Sequence, residues 1–203
     1  PALVTSEWST ALRAGADLIV IAVKSYDTAG LLNEMRPALT AAPPTILCLQ
    51  NGVDNEAALA KVLGLERVLA GTVTTAVGSR GPGDAVIERA RGIGLAEGHV
   101  LSAPLVEAFT AAGHAVRSYP NAASMKWSKL LTNLIGNATS ALLDWPVSRI
   151  YGHAGVYRIE RRMLREAIAV MRASGLPVVD LPGVSVRLIP WVVALPDWLG
   201  RPL

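Results

Sequence analysis

Residues 126–145 read KWSKLLTNLIGNATSALLDW, and the character of the chain turns on this stretch. Trp127, Leu131, Leu134, Ala138 and Ala141 recur at helical spacing, and Leu130, Ile135 and Leu142 widen the stripe. The pattern predicts one helix, apolar on almost every side and surrounded by protein. Lys129, Asn133 and Asn137 stand out against it. Four residues apart, they would form one polar line along a single helix face. Each interior asparagine costs roughly 0.5–0.7 kcal/mol relative to Ala, and a buried amide or ammonium without partners costs about 1–3 kcal/mol more. The line is either the solvated side of the helix or a polar cleft cut into an apolar interface. A solvated face normally carries Glu, Lys and Arg, yet no acidic residue lies between Lys126 and Asp144. That favours a site.

Upstream of this helix, residues 1–120 alternate short apolar runs with helical patterns, which predicts an α/β domain with a largely parallel sheet. ADLIVIAV (16–23) is nearly continuously apolar, as a strand covered on both faces should be. A helix over Ser25 to Met35 follows, closed by Pro37 and the pair Pro43 and Pro44. TILCLQ (45–50) is the next strand; a helix from Asn55 to Leu63 and a strand from Val68 to Ala76 come after it. Ala85 to Ile87 and Ile93 to Leu95 read as a hairpin, which would make the sheet mixed. Leu101 to Gly113 is a helix and His114 to Tyr119 a last strand. Past Pro120 and Asn121 only helix remains: the central segment of 122–144, stopped by Pro146, then Gly155 to Ser174 with Val156, Ile159, Met163, Ala167 and Val170 on its apolar face. The expected domains are therefore 1–120 and 121–203.

The chain is 51% hydrophobic and 17% charged, which excludes a disordered or acidic-tail protein. Its net charge of +3 is spread thinly and its aromatics amount to 5%, so nucleic acid is not an expected partner. Cys48 is the single cysteine; there is no disulfide framework, and a cytoplasmic setting is the expectation. No apolar run is long enough to span a bilayer. The histidines at 99, 114 and 153 lack neighbours at ligand spacing, so no metal is expected. Neither GxGxxG nor GxSxG occurs.

Ligands in open α/β sheets bind beyond the carboxyl ends of the strands. Lys24 follows ADLIVIAV directly, and Gln50, Asn51 and Gly52 follow TILCL. Either could be ordinary surface, a helix start or a plain turn, but two polar ends side by side point to a binding rim. Thr74 and Thr75 would add to it.

Together VKSYDT (23–28), LQNGVDNE (49–56), GTVTTA (71–76) and KWSKLLTNLIGNATSAL (126–142) resemble the ketopantoate reductase (2-dehydropantoate 2-reductase) family. The resemblance runs through nearly the whole chain in order and spacing. It implies an N-terminal Rossmann domain for NADPH (here 1–120, partial), a C-terminal helical substrate domain (121–203, partial) with the active site between them, and reduction of the C2 ketone of ketopantoate to pantoate on the way to coenzyme A. It further implies Lys129 as the catalytic proton donor, rather than its neighbour Lys126. Asn133 and Asn137 become amides that hold the substrate, Asn51 the residue at the junction of nicotinamide and substrate, Lys24 a cofactor-side lysine and Val77 a backbone contact to the cofactor.

The sequence also departs from the family. The glycine-rich first βα unit has no counterpart, nor have a glutamate and a serine expected near the far end, and a further family asparagine falls on Val147. A start at Pro1 and an end at Leu203 read as a piece of a longer protein, and the piece alone is expected to be inactive. Another 2-keto acid as substrate, or a non-catalytic scaffold that keeps the fold, are the alternatives. The apolar tail VRLIPWVVALPDWL suggests a surface to be covered, for which a homodimer is one arrangement.

Overall fold

The structure is a computed structural model that describes residues 4–13, 15–40 and 43–196. Its elements run α1 (Trp8–Arg13), β1 (Leu18–Ile21), α2 (Thr28–Met35), β2 (Thr45–Cys48), α3 (Asn55–Leu63), β3 (Val68–Val73), β4 (Ala76–Gly81), β5 (Asp84–Arg89), β6 (Ile93–Ala96), α4 (Ser102–Ala111), β7 (Val116–Tyr119), α5 (Ala122–Leu134), α6 (Asn137–Leu143), α7 (Val147–Gly152), α8 (Ala154–Ala173) and α9 (Ile189–Ala194). The chain divides into two compact units, Pro1–Ala122 and Ala123–Leu203.

The first unit is an α/β domain. Its main sheet has the order β1-β2-β3-β6-β7, and the pairs β1–β2, β2–β3 and β6–β7 are parallel. β3–β6 is antiparallel, so the sheet is mixed. Ile21, Leu32, Met35, Ile46, Cys48, Leu59 and Leu63 form a core between the sheet and helices α2 and α3. All four residues of β2 are buried, as a central strand's run of apolar residues requires. β1 differs from the expected strand: Val20 is 49% exposed, because among the described residues β1 lies at the sheet edge with a single neighbour. The hairpin also differs. β5 pairs with β4, antiparallel, as a separate two-stranded ribbon. Residues 93–96 join the main sheet instead, because their side chains are all buried while those of β4 and β5 are mostly exposed.

The second unit is helical. Met125 and Leu131 of α5, Ile150 of α7, Tyr157, Leu164, Ile168 and Met171 of α8, then Leu181, Val186 and Val193, are its buried apolar residues. Two expectations are corrected here. The stretch from 122 to 144 is two helices, broken after Leu134, and the break centres on Gly136 at φ 72° and ψ −11°. Only a residue without Cβ takes this left-handed conformation without strain; a Cβ at Gly136 would also stand 3.1 Å from Cγ2 of Val147.

The buried face of α8 is the second correction. It consists of Tyr157, Glu160, Arg161, Leu164, Ile168 and Met171, whereas Ile159 and Val170 of the expected face are 61% and 47% exposed. Two charged residues belong to that buried face because each finds partners. Arg161 donates from Nη2 to the carbonyls of Val193, at 2.7 Å, and Leu195, at the end of α9. The far part of the apolar tail, 197–203, lies outside the described residues.

Candidate active site

Parallel strands β1 and β2 bring their carboxyl ends to one rim of the first sheet, and the two turns that follow are bolted together. Gln50 is buried, and its Nε2 donates to the Val23 carbonyl at 3.0 Å and to Oγ1 of Thr28 at 2.9 Å. The Ser25 hydroxyl donates to the Asn51 carbonyl at 2.7 Å. Nδ2 of Asn55, the buried first residue of α3, donates to the same carbonyl at 3.0 Å and to Oγ of Ser25 at 3.2 Å. A Cβ on Gly52, whose φ is 98°, would come within 3.2 Å of Oγ of Ser25, so the tight approach of the turns needs a glycine there. Lys24 and Asn51 are thus held side by side on this rim, and both are exposed. Rigid backbone beneath exposed polar ends is what a binding rim requires.

The threonines behave otherwise. The Thr74 hydroxyl donates to the Gly92 carbonyl at 3.1 Å, and Oγ1 of Thr75 accepts from the amides of Arg91 at 3.2 Å and Gly92 at 3.0 Å. Both close the entry to β6 rather than standing open for a ligand. Val77 sits on the exposed ribbon, 57% exposed and paired with Ile87, beside a register shift between Ala76 and Val77. A concavity of about 540 Å³ in this unit is lined among others by Glu56, Leu65, Val68, Ala96 and His99, and neither Lys24 nor Asn51 lines it.

In the second unit, Lys129 and Asn133 lie one turn apart on α5, about 6 Å along its axis, and both are half-buried with polar interactions of their own. The Thr132 hydroxyl donates back to the Lys129 carbonyl at 2.7 Å. Lys126 is only 4% exposed, so the more accessible of the two ammonium groups is that of Lys129. The helix is tied down by Oγ of Ser128, fully buried, which accepts from the Val179 amide at 2.9 Å. Asn137 does not continue the same helix. It is the exposed first residue of α6, beyond the Gly136 break.

That break is held by a residue the sequence did not single out. Glu160 of α8 has no exposed surface; its Oε2 accepts from the Gly136 amide at 2.8 Å and from the Tyr151 hydroxyl at 3.3 Å, and its Oε1 accepts from the Thr139 hydroxyl at 2.7 Å. Burial pushes the Tyr151 hydroxyl well above the ordinary phenol range, and the charge and hydrogen bond of Glu160 push it further. Its signal in the sequence was slight: one acid among the arginines of 158–165. Asn55 was more legible, four residues after Asn51 at the start of a predicted helix.

Among the described residues no cluster of His, Cys, Asp or Glu could hold a metal ion, and no helix is long and apolar enough to cross a membrane. The rim has an exposed ammonium and an exposed carboxamide at neighbouring strand ends, a donor set that suits the phosphates and amide of a dinucleotide.

Comparison with known proteins agrees with this architecture. The family described as "Ketopantoate reductase PanE/ApbA" matches residues 2–97, and its C-terminal counterpart matches residues 121–194. A 2-dehydropantoate 2-reductase of Halobacterium salinarum is 32% identical over 173 residues, covering 81% of this chain and 55% of that protein. Among solved structures, a PanE/ApbA family ketopantoate reductase from Ralstonia eutropha JMP134 is similar with a TM-score of 0.77 and 33% identity, over 92% of this chain and 61% of that one. A 2-dehydropantoate 2-reductase from Geobacter metallireducens GS-15 gives 0.72 and 28%, over 92% and 66%. D-Mandelate dehydrogenase in complex with NADH and anilino(oxo)acetate, at 0.70 and 17%, over 92% and 60%, shares the fold. The chain spans about half the length of the curated relative it matches.

Proposed function

Because the chain belongs to the ketopantoate reductase PanE/ApbA family, we propose that it serves the NADPH-dependent reduction of a 2-keto acid, with ketopantoate to pantoate as the first assignment. The observation that carries this reading is on α5: a half-buried ammonium, Lys129, one turn from a half-buried amide, Asn133, with Asn137 opening the next helix.

The nicotinamide, when bound, supplies a hydride to the carbonyl carbon. As negative charge builds on the carbonyl oxygen, the Lys129 ammonium stabilises it and passes its Nζ proton to that oxygen, leaving an alcohol. Asn133 and Asn137 orient the substrate's carboxylate and hydroxyl through their amides, adding no charge next to the lysine. On the first unit Lys24 offers its ammonium to the cofactor's phosphates, Val77 a backbone group, and Asn51 a carboxamide for nicotinamide and substrate. The network of Gln50, Ser25 and Asn55 fixes the turns that carry Lys24 and Asn51.

A second reading, another 2-keto acid, draws on Val147. This apolar side chain packs against Gly136, next to Asn137, where the family pattern carries an asparagine. A substrate with an apolar group near its carboxylate would suit it better.

The test uses protein made from the full reading frame, following oxidation of NADPH and of NADH with ketopantoate and with other 2-keto acids. Lys129→Ala should lower kcat by about a hundredfold or more, the usual effect of removing a general acid. Undiminished turnover in Lys129→Ala, with loss in Lys126→Ala, would transfer the role to Lys126.

A further inference from the structure

Glu160 is a carboxylate with no access to water, and the proposed chemistry does not use it. Such a group is costly unless hydrogen-bonded on every side. Its donors come from three places: the backbone of Gly136, the side chain of Thr139 and the hydroxyl of Tyr151. The first two flank Asn137. The carboxylate of α8 takes the amide of Gly136, the residue that opens α6, and the hydroxyl of Thr139 in its first turn, and so grips the start of α6 from outside the helix. One rigid group therefore holds both the last bend before Asn137 and the first turn after it.

From this geometry we propose that Glu160 is a positioning residue for the substrate amides: through Gly136 and Thr139 it sets where Asn137 stands relative to Asn133 and Lys129. The proposal rests on the reading of Asn133 and Asn137 as substrate-holding. A fixed bend matters because amides that bind a planar carboxylate act as a pair, and a shift of an ångström loosens such a site.

The test compares Glu160→Ala, Glu160→Gln, Thr139→Val and Asn133→Ala in full-length protein, with hydrogen exchange at the Gly136 amide as a readout independent of turnover. Glu160→Ala should raise the KM for the 2-keto acid about tenfold or more while the KM for the nucleotide stays within about twofold, the signature of lost substrate binding at an intact cofactor site. It should also speed exchange at Gly136. Glu160→Gln should restore most of the KM, because its carbonyl can accept from Gly136 and its amide can face Thr139. Thr139→Val, which keeps the carboxylate, should raise the KM about threefold to tenfold, and it carries the test if Glu160→Ala does not fold. A folded Glu160→Ala or Thr139→Val with unaltered KM for the keto acid overturns the positioning role. If Asn133→Ala leaves that KM unchanged, or wild type reduces no 2-keto acid, the reading of the amides fails and the proposal falls with it. An impaired Asn133→Ala beside an unaffected Glu160→Ala refutes the positioning role alone.

Discussion

Tyr151 and Asn55 both act beneath the surface. The Tyr151 hydroxyl, raised above its ordinary value of 10.0, keeps its proton in the folded chain where the unfolded chain releases it. The unfolded state then binds fewer protons, so stability falls as pH rises. The contribution is complete below pH 10 and declines from about pH 10 upward, through the raised value. Urea unfolding of Tyr151→Phe at a series of alkaline pH values should show a shallower decline than wild type, with little difference in pH slope near neutrality. Asn55→Ala tests the rim: it removes two donors and leaves the Asn51 carbonyl with Ser25. A loss of about 1–2 kcal/mol in unfolding free energy is expected, together with weaker nucleotide binding by titration calorimetry.

At the scale of elements, the break between α5 and α6 is the decisive feature of the second unit. It turns a long apolar helix into two and places Asn137 at a helix start. Gly136→Ala would force a Cβ into a left-handed residue and against Val147, and should destabilise by about 1–2 kcal/mol in chemical unfolding. An α5–α6 segment that tolerates alanine without loss would mean that the bend is not under strain from its neighbours. Helix α8 shows the same lesson in its packing. Its inward stripe contains a glutamate and an arginine because α6, α7 and α9 present donors and carbonyls to meet them. An arginine at the end of α9 also suits the carbonyls left unpaired there. Arg165 adds to this from Nε and Nη2, both to the Val193 carbonyl.

For the whole molecule, the nucleotide should act as a stabilising ligand. At a concentration of about 100 Kd it should raise the unfolding free energy by about 2.7 kcal/mol, seen as a higher melting temperature for full-length protein. Lys24→Ala should reduce that shift at the same concentration, and more for NADPH than for NADH if its ammonium meets the extra phosphate. An equal thermal shift in Lys24→Ala would remove the lysine from the cofactor's contacts.

Much of the architecture is carried by local composition. Continuous apolar runs ending at Lys24 and Gln50, and helix spacing after Pro120, suffice for an α/β unit followed by a helical one, because period and apolarity are properties of neighbouring residues. Lys24 and Asn51 drew attention as polar groups at strand ends, and Lys129, Asn133 and Asn137 by their spacing of four, for the same reason; Val77, and Lys129 in preference to Lys126, came from the family resemblance alone. What the tertiary structure alone decided is who meets whom. Residues 93–96 look like a hairpin arm until burial draws them into the main sheet. Thr74 and Thr75 look open until the amides of Arg91 and Gly92 and the Gly92 carbonyl reach them. Glu160 is only one acid among the arginines of 158–165 until Gly136, Thr139 and Tyr151 close round it. The first outcome rests on burial, and the other two rest on hydrogen-bond partners distant in sequence: a polar side chain's place is fixed by that partner, not by its own polarity.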